Sequence, residues 1–107
     1  MTEYAVADAG TTNGIHTIRI CGEIDLTNTT AVREAISHLA SPDAPTILID
    51  LTKTTYLDSS GIAMLFHLSQ RLTERRQTLR LVVPPDSPLR TALDLTHLPQ
   101  TIPIQAV

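Results

Sequence analysis

The run Thr46 to Leu51 is apolar on both parities of the strand period, with Asp50 as its single charged residue. An alternating run suits a strand with one wet face, whereas this pattern is expected of a central strand covered on both faces. It therefore calls for helices on either side in the sequence, and the neighbouring segments supply them. Val32, Ala35, Ile36, Leu39 and Ala40 recur at helical spacing after Thr27, Asn28, Thr29 and Thr30, which offer several N-caps. Ser41-Pro42 and Pro45 stop that helix. A second helix is expected from about Ser59 to Gln77, with Ile62, Leu65, Phe66 and Leu72 on one side. Arg71, Arg75 and Arg76 lie in its last turns, where cations favour the helix dipole, and read as a solvated helix end.

Before the first helix, Tyr4 to Ala7 and Ile15 to Cys21 read as two strands paired in a hairpin, because Gly10 to Gly14, with Asn13-Gly14 in it, supplies turn chemistry. After the second, Leu79 to Val83 makes another strand, closed by Pro84-Pro85. Ser87 then suits a cap and Pro88 a first helical position, leading through Leu89, Ala92, Leu93 and Leu95 to a stop at Pro99. Thr101 to Ile104, interrupted by Pro103, forms at most an edge strand. Helix crossovers between the later strands imply parallel pairing. The fold class is α/β: a single domain over residues 1–107, with a mixed sheet of about four or five strands and helices packed on it.

Size and composition exclude several functions. A chain of 107 residues buries enough surface to fold without staples. Its three aromatic residues, Tyr4, Tyr56 and Phe66, leave an aliphatic core and few stacking platforms. With a formal charge of −3 the chain has the wrong sign for a phosphate backbone, so nucleic acid is not an expected partner. Cys21 stands alone and reads as a buried structural thiol. His16, His38, His67 and His97 fall on different elements without ligand spacing, so neither a metal nor another cofactor is expected, and His67 reads as a partly buried polar residue. No apolar run reaches the roughly 20 residues that cross a bilayer, and Met1 to Asp8 lacks the order of a signal peptide, which points to a cytoplasmic protein without membrane insertion.

The segment that carries chemistry is Tyr56-Leu57-Asp58-Ser59-Ser60-Gly61, between the central strand and the second helix. Ser59 has two readings there. It suits an N-cap, with Gly61 permitting tight packing, which is the plainer reading; the same place also suits a phosphate acceptor, because helix N-termini favour anions. The helix-end attraction, roughly 0.3 to 1 kcal/mol, is too small to remodel a domain stable by about 5 to 15 kcal/mol. A phosphate would therefore act on a partner interface, where trapping a charge of about −1.5 to −2 costs several kcal/mol. The segment lacks a Gly-x-Ser-x-Gly elbow, a histidine partner and a Gly-rich phosphate loop, so no enzyme is expected.

Asp58-Ser59-Ser60-Gly61, preceded by Ile47-Leu48-Ile49-Asp50-Leu51 and by Gly22-Glu23-Ile24-Asp25, together with an Arg90 to Leu98 helix, resembles the single-domain STAS anti-sigma-factor antagonists of bacteria over nearly the whole chain. The resemblance implies Ser59 as a phosphoacceptor, modified by a partner that is both anti-sigma factor and ATP-dependent serine kinase and restored by a PP2C-type phosphatase. It makes Asp58, Ser60 and Gly61 neighbours shaping the site, and places Asp25 nearby on the kinase-contacting loop, where a plain turn or helix-start carboxylate is the other reading. The unphosphorylated form would bind the anti-sigma factor and free a sigma factor in a stress response. Two positions depart from the family pattern: Thr96-His97-Leu98 replaces the usual glycine before the final leucine, which implies a differently shaped helix end, and Ala63 stands where glycine is common. The rival readings are an accessory STAS subunit of a membrane transport or lipid-trafficking ATPase complex, docking without phosphorylation, and a phosphorylatable scaffold of a stress-signalling complex.

Overall fold

In the computed structural model, which describes residues 3–106, the chain first folds back on itself at Asn13-Gly14. Met1, Thr2 and Val107, the ends of the domain expected over 1–107, lie outside the described residues. Asn13 and Gly14 both take positive φ (53° and 79°), the tight-turn geometry that matches strand twist. The turn joins β1 (Tyr4–Thr12) to β2 (Ile15–Ile24) as an antiparallel hairpin, with Val6 opposite Ile20. Both strands outrun the expected Tyr4 to Ala7 and Ile15 to Cys21. A register shift between Asp8 and Thr11, with Gly10 at φ 88°, lets pairing continue to the turn.

The remaining elements are α1 (Thr29–Leu39), β3 (Thr46–Asp50), β4 (Thr54–Leu57), α2 (Ser59–Glu74), β5 (Thr78–Val82), α3 (Leu89–Leu95) and β6 (Ile104–Gln105). The sheet runs β1-β2-β3-β5-β6, and every pairing after the hairpin is parallel. β3 accompanies the first half of β2; β4 then pairs with its second half, setting Glu23 beside Tyr56 and Ile24 beside Leu57. Among the described residues the sheet thus has six strands rather than about four or five. β4 lies between the central strand and the second helix, where no element is expected from the sequence, although Thr54, Thr55 and Tyr56 favour extended backbone; four residues are too few for the period to show.

Ile18 and Ile20 of β2, Ile47 and Ile49 of β3, and Leu79 and Leu81 of β5 face the helices and are 0–3% exposed. Buried residues of all three helices, among them Val32, Ile36, Leu65, Leu68 and Leu93, join them in one core. The opposite face is open, so β3 is covered on one face and not two. There Leu48 stands half-buried between its cross-strand neighbours Thr17 and Arg80, and Asp50 accepts from Arg19 Nε at 3.3 Å. Cys21 shares the parity of Arg19, which leaves it half-buried instead of enclosed.

Helix ends differ from expectation for identifiable reasons. α2 stops at Glu74 because Arg76 turns left-handed (φ 62°), with Arg76 N–H donating to the Thr73 carbonyl and Gln77 N–H to that of Leu72. The buried Gln77 side chain then donates to the carbonyls of Ser41 and Ala44 at 2.8 and 2.7 Å. α3 begins one residue later than expected, with Pro88 and not Ser87 at the N-cap, although Ser87 Oγ still accepts from Leu89 N–H at 3.2 Å. The helix ends at Leu95, short of the expected Leu98, and Pro99 lies inside a 3-10 turn, Leu98–Gln100. His97, left-handed at φ 60°, swings the chain so that Leu98 and Ile102 are fully buried. β6 begins only after Pro103, later than Thr101 to Ile104 suggested, and occupies the sheet edge.

Candidate functional site

β4 delivers the chain to Asp58, whose extended backbone (φ −90°, ψ −173°) makes it the N-cap of α2. Its Oδ1 accepts from Gly61 N–H at 3.0 Å and from Ser60 Oγ at 2.5 Å. Ser59 is therefore not the cap. It is the first residue of α2 and is exposed. The Ser60 hydroxyl holds the Asp58 carboxyl below the usual carboxylate range; partial desolvation opposes this, and the N–H groups of Gly61, Leu26 and Ser60 add to the lowering. An ionised carboxylate thus sits directly before Ser59 at neutral pH.

Gly61 brings the helix down on the sheet. A Cβ there would lie 2.4 Å from Leu57 Cδ1 and 3.4 Å from Ile24 Cγ2, so the expected close packing is present.

The other half of the site is the loop after β2. Asp25 Oδ1 accepts from Thr27 N–H at 2.9 Å and from Thr27 Oγ1 at 2.5 Å, which makes Asp25 a turn carboxylate. Asn28, 6% exposed, accepts from Asp25 N–H at 3.0 Å and donates to the Glu23 carbonyl at 2.9 Å. Its side chain braces the loop instead of capping α1. Leu26 N–H donates to Asp58 Oδ2 at 3.1 Å and so joins the two halves. Asp25, Asp58, Ser59 and Ser60 consequently lie on one surface at the start of α2, whereas Gly61 is buried beneath it against Leu57 and Ile24.

Two features of this surface had no clear sequence signal. Leu26 is 78% exposed in an otherwise polar loop, and Asn28 is a buried brace. A single leucine between Asp25 and Thr27 shows no period, and only its isolation among polar neighbours sets it apart. A groove of about 180 Å³ between α1 and α2 begins beside Ser60 and is lined further along by Arg33, Met64 and His67. His67 is exposed there, not partly buried, because it lies on the outer side of α2 from Leu65 and Leu68. Among the described residues, no group of three or more His, Cys, Asp or Glu side chains is placed to hold a metal ion.

Residues 7–107 match the model of the STAS domain. The chain belongs to the STAS domain family. This STAS domain is 33% identical over 60 residues to the anti-sigma-F factor antagonist RsfB of Mycobacterium tuberculosis, covering 56% of this chain and 49% of RsfB. The match thus spans about half the length of the curated relatives. An anti-sigma factor antagonist from Mycobacterium paratuberculosis superimposes with a TM-score of 0.81 at 24% identity, over 95% of this chain and 85% of that one. SpoIIAA, an anti-sigma factor antagonist solved in its unphosphorylated form, superimposes with a TM-score of 0.75 at 20% identity, over 96% of this STAS domain and 88% of SpoIIAA. At these identities the two structures establish the fold, a mixed α/β domain of the expected class. No helix among the described residues is long and apolar enough to cross a membrane.

Proposed function

We propose that this STAS domain is a cytoplasmic, non-catalytic anti-sigma-factor antagonist switched by phosphorylation of Ser59. Unphosphorylated, it binds an anti-sigma factor that is also a serine kinase through the surface formed by Asp25, Asp58, Ser59 and Ser60, which the buried Gly61 supports from beneath, and a sigma factor is released. The kinase transfers the γ-phosphoryl of ATP to Ser59 Oγ; the hydroxyl proton and ADP leave, and docking ends. A PP2C-type phosphatase hydrolyses the ester and restores the first state.

The observation that carries this reading is the division of labour between Asp58 and Ser59. Asp58 caps α2, which leaves Ser59 exposed and without a capping duty. A phosphate on it meets the positive end of the helix but also the ionised Asp58, so its effect on the domain is small. Across a protein interface the same charge is desolvated beside two carboxylates, and each 1.4 kcal/mol of that cost weakens binding about tenfold.

The test is binding of native protein, Ser59→Ala and Ser59→Asp to the host's anti-sigma kinases by calorimetry, with intact mass measured after incubation with kinase and ATP. Native protein and Ser59→Ala bind, Ser59→Asp binds at least about a hundredfold more weakly, and only protein with Ser59 gains one phosphate. Equal affinity of the Ala and Asp forms removes the switch. Docking on a transport ATPase with no phosphate gained would assign the accessory-subunit role instead.

A further inference from the structure

Leu26 is the feature of this surface that phosphorylation does not account for. A lone exposed leucine is ordinary on a protein surface. This one differs in how firmly its backbone is held. Its own N–H is bound by Asp58, the residue before it turns its carboxylate onto Thr27, and the buried Asn28 side chain pins the loop to Glu23. Four hydrogen bonds thus hold the loop that presents an apolar side chain, 78% exposed, to solvent.

We infer that Leu26 is the apolar anchor by which the anti-sigma factor seats on this domain, and that Asp58 is the positioning residue that presents it. The inference rests on the function proposed above and adds the contact that supplies affinity. The partner's complementary feature is an apolar pocket beside the site where it receives Ser59. Two arguments join Leu26 to that interface. The carboxylate that binds the Leu26 N–H also caps the helix whose first residue is Ser59, so both side chains belong to one rigid unit. And because the loop is already ordered, burying Leu26 loses little backbone freedom, so most of the apolar gain appears as affinity.

Asp58 suits the positioning role for a chemical reason. Its two oxygens accept from Gly61 N–H, Ser60 Oγ and Leu26 N–H, all of them donors. An asparagine keeps one acceptor for the cap, but its NH₂ then faces the Leu26 N–H, donor against donor.

The experiment measures binding of native protein, Leu26→Ser, Leu26→Met, Asp58→Asn and the Leu26→Ser/Asp58→Asn double variant to each small ATP-binding anti-sigma kinase of the host, purified singly, with Ser59→Asp as the control. Circular dichroism melting of each variant reports the fold. Leu26→Ser is expected to melt as native protein does and to bind at least about tenfold more weakly, while Leu26→Met stays within about threefold. Asp58→Asn weakens binding, and it does so by a smaller factor in the Leu26→Ser background than in native protein, because an anchor already removed has nothing left to be positioned. Native-like binding by Leu26→Ser, alongside loss in Ser59→Asp, overturns the anchor and leaves the switch standing. Fully additive losses in the double variant overturn the positioning role. Absence of binding by native protein to every kinase defeats the underlying function itself.

Discussion

Asp58 Oδ2 and the backbone N–H of Leu26, 32 residues apart in the chain, are joined by a 3.1 Å hydrogen bond. The other oxygen of the same carboxylate organises the first turn of α2, so a single side chain sets the relative placement of the loop after β2 and the helix that begins at Ser59. β4 makes this possible. By pairing Ile24 with Leu57 it brings the last residue of β2 and the residue before Asp58 side by side. The backbone repeats the link one bond further back, where Asp58 N–H donates to the Ile24 carbonyl at 3.3 Å.

Acid should loosen this arrangement. The Ser60 hydroxyl lowers Asp58; the Gly10 N–H and the His16 side chain lower Asp8; and at Asp50, burial pushes upward but bonds from Thr52 and Arg19 outweigh it. Each folded value lies below the unfolded one, about 3.9, so the stabilising contribution is complete above that pH and is lost as pH falls through the folded values. Urea unfolding at fixed pH should therefore give a nearly constant free energy from about pH 7 to 5 and a decline below about pH 4, with a shallower decline in Asp58→Asn. A native profile that rises on acidification contradicts the assignment.

Gly61→Ala tests the close approach of α2 to β4. Helix propensity alone favours alanine by up to about 1 kcal/mol. The added methyl, however, would meet Leu57 Cδ1 at 2.4 Å, and Leu57 is itself only 7% exposed. Overpacking costs about 1 to 3 kcal/mol and should win, giving a net loss of stability in urea titrations. Trimming the neighbour with Leu57→Val in the same chain should recover part of it.

His97→Gly should stabilise the domain. His97 is exposed and left-handed, at φ 60°, a conformation that costs an L-residue about 1 to 2 kcal/mol. Glycine avoids that cost but brings about 0.5 to 1 kcal/mol of extra chain entropy to the unfolded state. The difference, up to about 1.5 kcal/mol in favour of glycine, corresponds to a rise of several degrees in Tm by calorimetry. His97 makes the left-handed turn itself, with no glycine in the Thr96-His97-Leu98 segment.

Short-range chemistry was legible in the amino-acid order. The Asn13-Gly14 turn, the helical period of Val32 to Leu39 and the Ser87 bond at the start of α3 all follow from residues within a few positions of one another, because turn preference and side-chain period act over one or two turns of chain. The same holds for Asp58-Ser59-Ser60-Gly61 as the segment of interest. Contacts between distant segments were decided by the tertiary structure alone. Which of two adjacent residues caps α2, whether β3 is covered on one face or two, and that Leu26 is held by Asp58 depend on β4 docking against β2 and on all three helices sharing one core. Local pattern can show that Leu48 is apolar, but only packing determines whether anything lies over it, since burial is a property of the assembled layers and not of the strand that carries the residue.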